Sequence, residues 1–163
     1  MKDKVKEIPE LKAKIDEVRG KGGRLVFTNG CFDIIHVGHV RYLHDAKALG
    51  DYLIVAINSD QSIRGLKGEK RPIVPQKERA EVISALESVD FVTIFDAPDP
   101  YDIIKELRPD YLVKGGDWGE GEIIGSDIVI DRGGEVIRIP FIEGSSSTNI
   151  METIIERYCG GSD

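Results

Sequence analysis

Two of the three histidines of the chain, His36 and His39, lie three residues apart in Thr28-Asn29-Gly30-Cys31-Phe32-Asp33-Ile34-Ile35-His36-Val37-Gly38-His39. This segment leaves a β-rich run and enters a helix. A helix N-terminus presents unpaired N–H groups and a partial positive charge, which together suit a phosphate. Imidazoles added at that point donate hydrogen bonds to phosphoryl oxygens, and Gly38 between them lets a nucleotide approach the backbone closely. Two other readings stay open. His-x-x-His also binds metals, although no third and fourth ligand follow at zinc spacing, and two histidines can simply be surface residues. His44, further along the same helix, is read as a surface histidine.

Three further clusters follow apolar runs. Residues 64–79, RGLKGEKRPIVPQKER, hold six basic and two acidic residues, a local charge of +4. Gly65, Gly68, Pro72 and Pro75 make this segment a loop rather than a helix face. It reads either as a cationic lid over polyphosphate or as a solvated basic loop, with Lys77 and Arg79 assigned to the helix that follows. Val113-Lys114-Gly115-Gly116-Asp117-Trp118 joins paired glycines, a lysine and the only tryptophan; Trp118 is either a wall of the site or a hydrophobic plug. Gly144-Ser145-Ser146-Ser147-Thr148-Asn149-Ile150 is an N-cap cluster in any protein and also a second helix N-terminus able to hold phosphate oxygens. No G-x-x-x-x-G-K-[ST] follows the first apolar run, and no G-x-G-x-x-G opens a helix.

The elements that must position these clusters alternate. Arg24–Thr28, Tyr52–Ile57, Phe91–Phe95, Tyr111–Val113 and Glu135–Ile139 read as strands. Helical spacing is expected over residues 5–20, 38–49, 76–88, 101–107, 122–132 and 146–158. Strands alternating with helices indicate βαβ units and a parallel sheet. Nearly continuous apolar strands indicate that both of its faces are covered. The fold class is therefore α/β, a doubly wound five-stranded parallel sheet with an N-terminal helix. Residues 1–23 are expected as a helical extension, 24–158 as the domain and 159–163 as a disordered tail. Ligands of such folds sit beyond the carboxyl ends of the strands, where the strand order reverses.

Composition bounds the function. A chain of 163 residues fits one domain. Its net charge of −7 argues against coating nucleic acid or an anionic membrane, since both need a dominant cationic surface. No apolar stretch nears the ~20 residues that span a bilayer. The charged MKDKVKEIPELKAKID start does not read as a secretory signal. Cys31 and Cys159 are too few for a disulfide framework. A soluble, cytoplasmic protein is expected.

His36-Val37-Gly38-His39, preceded by Gly30-Cys31-Phe32-Asp33, resembles the HxGH signature of the nucleotidyltransferase superfamily. Leu66-Lys67-Gly68 with Arg71-Pro72, the Leu112–Asp117 run (LVKGGD), Gly133-Gly134 and the Gly144–Ile150 run narrow the likeness. With them the chain resembles the adenylyltransferase domain of bacterial ADP-heptose synthases, from about Gly23 to Ile155. Trp118 stands where tyrosine is common, Ser147 where threonine is usual and Asp99-Pro100 where Thr-Pro is common. Glycerol-phosphate and choline-phosphate cytidylyltransferases are similar too. They carry an arginine before the last Gly-x-Ser-Thr run, where this chain has Phe141-Ile142.

The resemblance implies a Rossmann-like fold and transfer of AMP from ATP to heptose 1-phosphate, with release of pyrophosphate, on the route to the lipopolysaccharide core. The alternative is a cytidylyltransferase using CTP and a phosphate such as glycerol 3-phosphate; a non-catalytic nucleotide sensor is a third reading. His36, His39 and Lys67 are the expected catalytic residues. Asn29, Gly30, Cys31, Phe32, Gly38, Arg71, Gly115, Gly116, Asp117, Ser146, Ser147 and Thr148 are expected around the nucleotide. Asp33, Asn58, Lys114 and Trp118, with Asn29, are expected on the sugar-phosphate side. Mg²⁺ would bridge the phosphates, held by substrate and water with no side-chain ligand assigned. The resemblance also implies a homodimer and, in the absence of a kinase domain in this sequence, a separate sugar kinase acting upstream.

Overall fold

The computed structural model describes residues 2–116, 123–140 and 144–159. The strands are β1 (Leu25–Gly30), β2 (Tyr52–Asn58), β3 (Phe91–Phe95), β4 (Tyr111–Gly115) and β5 (Glu135–Ile139). The helices are α1 (Ile8–Gly20), α2 (Val37–Lys47), α3 (Asp60–Lys67), α4 (Gln76–Ser84), α5 (Tyr101–Leu107), α6 (Ser126–Ile130) and α7 (Ser147–Cys159). The sheet has the order β3-β2-β1-β4-β5 and every pairing is parallel. Order reverses between β1 and β4, so the switch-point crevice opens above Asn29, Gly30, Lys114 and Gly115.

Both faces are covered, and neighbouring residues of one strand serve opposite cores. Leu25 and Phe27 pack with Leu11, Ile15 and Val18 of α1, Ile103, Ile104 and Leu107 of α5, and Val129 of α6. Val26 faces the other way, onto Leu43 and Ala46 of α2 and Ala80 and Ile83 of α4. Helix α1 is thus an integral wall of the first core. Its first turn starts at Ile8 rather than at residue 5, because Val5 bridges Val92 and Lys6 N–H donates to Val92 O at 2.8 Å along β3. That contact shields part of an edge strand, whose backbone groups would otherwise be open to pairing.

The expectation of a loop over residues 64–79 is corrected. Ser59 Oγ accepts from Ser62 N–H at 3.1 Å and caps α3, which runs through Arg64, Gly65 and Lys67 despite the glycine. Gly68, at φ 89°, ends it, so only residues 68–75 connect α3 to α4. Helix α6 is shorter than the 122–132 expectation, covering Ser126–Ile130, and α4 ends at Ser84 rather than 88. Helix α7 runs to Cys159; residues 160–163 lie outside the described set. Among the described residues no helix is long and apolar enough to cross a membrane.

Candidate active site

A cleft of about 540 Å³ lies at the switch point. Its floor is Asn29 and Gly30 of β1 with Lys114 and Gly115 of β4. The β1–α2 connection adds Cys31, Phe32, Asp33 and His36, and α2 adds Gly38, His39 and Tyr42. Lys67 at the end of α3 and Arg71 just beyond it close one side, while Gly144–Asn149 at the start of α7 closes another.

Helix α2 begins in an unusual electrostatic state. Its N-cap, His36, has extended backbone (φ −140°, ψ 172°) and its side chain caps nothing. The first N–H groups of α2 are therefore left to a ligand. The imidazoles of His36 and His39 lie against each other, tilted by 31°, with ring centroids 3.9 Å apart, and Phe32 packs 5.3 Å from His39. Burial, then the neighbouring His36 and Lys67, push His39 down to about 4; burial also lowers His36. Both rings are thus neutral at pH 7. Nδ1 of each is buried without a hydrogen-bond partner, a state with a real desolvation penalty unless a ligand group satisfies it.

Gly38 also has a packing role. A Cβ there would lie 2.9 Å from the His36 ring and 3.2 Å from Ser145 Cβ. The absence of a side chain lets the His36 ring fold over α2 while the Ser145 turn packs against it.

The basic segment divides by role. Lys67 is exposed at the cleft and Arg71 lines it, whereas Arg64 and Lys77 border a separate recess with Gln61, Glu78 and Asp96. Arg79 is fully buried. It donates to Val74 O at 2.9 Å, Cys31 O at 2.5 Å, Asn58 O at 2.8 Å and Asp60 Oδ1 at 2.8 Å, and so ties the β1–α2 connection, β2, α3 and the 68–75 connection together. Its charge belongs to the scaffold. Asp33, expected on the acceptor side, uses both carboxylate oxygens internally: Arg71 Nε donates at 2.8 Å, Ile73 N–H at 2.9 Å and Val74 N–H at 2.9 Å.

The serine run divides similarly. Ser146 Oγ accepts from Asn149 N–H at 3.0 Å as the cap of α7, and Ser147 Oγ donates to Ile34 O at 2.9 Å, fastening α7 to the β1–α2 connection. Thr148 lines the cleft and is exposed. Asn58, expected near the acceptor, is buried away from the cleft with Nδ2 donating to Ser62 Oγ at 3.0 Å. Gly116 sits one residue beyond the lining and donates its N–H to Ile139 O at 3.0 Å. Asp117, Trp118 and the Phe141-Ile142 pair lie outside the described residues. Sequence reasoning missed Tyr42. Its hydroxyl is 2.6 Å from Thr28 Oγ1 and donates to Val113 O at 3.1 Å, and burial pushes it up to about 12. Its position three residues after His39, on the same helical face, was the available signal.

A parallel sheet with its crevice at the strand reversal, an uncapped helix start carrying two neutral imidazoles, and lysine and arginine beside them define an α/β domain whose cleft is suited to anionic groups. The chain belongs to the cytidylyltransferase-like family of nucleotidyltransferases, whose model matches residues 27–152. It is 48% identical over 155 residues to the bifunctional protein HldE of Geobacter sulfurreducens, covering 95% of this chain and 32% of that protein. It is 51% identical over 148 residues to the bifunctional protein HldE of Nitratiruptor sp., covering 91% and 31%. The chain therefore spans about a third of the length of these curated relatives. Among solved structures, the lipopolysaccharide core biosynthesis protein from Thermoplasma volcanium is 29% identical with a TM-score of 0.62, covering 76% of this chain and all of that one.

Proposed function

We propose that the chain is an adenylyltransferase that joins AMP from ATP to heptose 1-phosphate, giving ADP-heptose and pyrophosphate. A non-bridging oxygen of the sugar phosphate attacks the α-phosphorus, and the bond from that phosphorus to the bridging oxygen of pyrophosphate breaks. The attacking oxygen is already anionic, so no protein base or nucleophile is needed. Catalysis rests on alignment and on stabilising charge as it develops. The observation that carries this reading is the closely packed, neutral His36–His39 pair with its two partnerless Nδ1 atoms at the open start of α2.

In this reading His36 and His39 donate to α-phosphoryl oxygens, Lys67 and Arg71 offset the charge of the leaving pyrophosphate, and Thr148 with the α7 start cradles the same group. The high identity to the HldE proteins favours ATP and heptose 1-phosphate over CTP and a polyol phosphate. Asp33, the one carboxylate lining the cleft among the described residues, is committed to Arg71, Ile73 and Val74. The described side chains do not fit a protein-held Mg²⁺, so the metal is expected to enter with the nucleotide. A homodimer, a cytoplasmic setting and a sugar kinase that supplies the acceptor belong to the same reading.

A pyrophosphate-release panel tests it: ATP and CTP, each against heptose 1-phosphate, glycerol 3-phosphate and phosphocholine. Release with ATP and heptose 1-phosphate is expected. Activity with CTP alone overturns the adenylyl reading, and nucleotide binding without release in any pair marks a sensor.

A further inference from the structure

Lysine and arginine line the cleft from opposite sides of β1. Lys67 and Arg71 come from the chain that follows β2, and Lys67 is near enough to His39 to help keep that ring neutral. Lys114 comes from β4, beyond β1 on the other side. It is half-buried, and among the described residues no carboxylate pairs with it. Its Nζ donates to a neutral partner, the Asn29 Oδ1 oxygen. An ammonium has three N–H donors, so two remain for a ligand.

In-line displacement requires the attacking oxygen and the leaving group to lie on opposite sides of the α-phosphorus. If Lys67 and Arg71 face the leaving pyrophosphate, the acceptor must approach from across β1, where Lys114 is the cleft-lining cation among the described residues. We propose that Lys114, oriented by Asn29, is the subsite for the phosphate monoester of the acceptor. This deepens the adenylyltransferase reading and rests on its reaction geometry. Burial pushes the Lys114 ammonium down to about 8, in keeping with a cation that no carboxylate pairs with among the described residues. A phosphate there would supply a countercharge, so the site favours an acceptor with a dianionic phosphate over a neutral alcohol.

Calorimetric titration reads the two ligands separately. One arm uses heptose 1-phosphate and glycerol 3-phosphate; the other uses the non-hydrolysable α,β-methylene analogues of ATP and CTP. In Lys114→Met, the Kd of whichever ester binds the unmodified protein should rise at least tenfold while the nucleotide-analogue Kd stays within threefold. The subsite is overturned if the ester binds the variant as tightly as the parent. It is equally overturned if nucleotide affinity falls in step, or if neither ester binds the parent. Lys114→Gln, also uncharged, replaces the methionine variant should its thermal midpoint show a lost fold. Turnover judges the underlying reading independently: a parent whose ester binding depends on Lys114 but which reacts only with CTP keeps the subsite and loses the adenylyl assignment.

Discussion

Arg71 Nε donates to Asp33 Oδ2 at 2.8 Å, and the Asp33 side chain is 1% exposed. The same carboxylate accepts the N–H groups of Ile73 and Val74, and Arg71 Nη1 reaches Met151 Sδ of α7 at 3.3 Å. One ion pair thus joins the β1–α2 connection, the α3–α4 connection and α7 around the cleft. Holding the guanidinium by Nε fixes its plane and directs where the other nitrogens point.

Asp33→Ala should lower stability by about 3 kcal/mol, because it strips acceptors from two backbone N–H groups and leaves a partly buried guanidinium uncompensated. Urea unfolding midpoints measure this. If Arg71 faces the nucleotide phosphates, the variant should also weaken ATP binding well beyond what a surface substitution would. Unchanged stability would mean that the carboxylate does not organise the α3–α4 connection.

Removing one histidine tests the chemistry itself. His36→Ala and His39→Ala should keep the fold and lower turnover at least a hundredfold, the usual order of effect for one lost donor to a developing oxyanion, about 3 kcal/mol. Pyrophosphate release under saturating substrates reads it. Near-normal turnover in either variant would remove that histidine from the reaction.

The pH dependence follows from His39, held at about 4 by burial, His36 and Lys67, against 6.5 for a free histidine. Between these values the unfolded chain binds a proton that the native site refuses. Stability is therefore full above pH 6.5 and declines as pH falls from 6.5 towards 4. The ring stays neutral at pH 5.5, so no loss of turnover centred near 6.5 should arise from its protonation. Denaturation midpoints and initial rates across pH 4–8 test both limbs; a turnover loss centred at 6.5 that disappears in His39→Gln would contradict the low value.

The sheet was legible because its strands are short apolar runs separated by helical spacing, a pattern that burial on both faces requires. The HxGH segment was legible because two histidines at a strand-to-helix junction combine rare residues with a helix start. The basic segment was less so. Charge marks Lys67, Arg71 and Arg79 alike, while only three-dimensional packing separates two cleft residues from a buried tie between β2, α3 and two connections. Helix α3 was hidden by Gly65 because helix propensity is a weak local term that a Ser59 cap and Ile63 burial override. Tyr42 was hidden because an aromatic residue inside an amphipathic helix looks like core.

Lys67 and Arg79 should therefore behave oppositely. Lys67→Ala removes an exposed side chain and should change stability by no more than about 0.5 kcal/mol, with a large loss of turnover if it faces the leaving group. Arg79→Met leaves three carbonyls and Asp60 without their donor and should destabilise by about 3–5 kcal/mol. Paired unfolding and rate measurements separate the two. A stable, active Arg79 variant would show that the tie is dispensable.

Gly38→Ala isolates packing from hydrogen bonding, since it removes no polar group. The added methyl carbon would meet the His36 ring at 2.9 Å and Ser145 Cβ at 3.2 Å, closer than such contacts normally fall. The imidazole is the more movable neighbour, so the expected response is rotation of His36 away from its contact with His39, at a stability change of about 1–2 kcal/mol. Turnover should then fall to near the level of His36→Ala while nucleotide affinity drops far less, because the α2 backbone and Lys67 are untouched. The double variant Gly38→Ala with His36→Ala should be little slower than either single one, since both act through the same ring. Independent, multiplying losses would instead mean that Gly38 acts through the Ser145 contact or through close approach of the nucleotide itself.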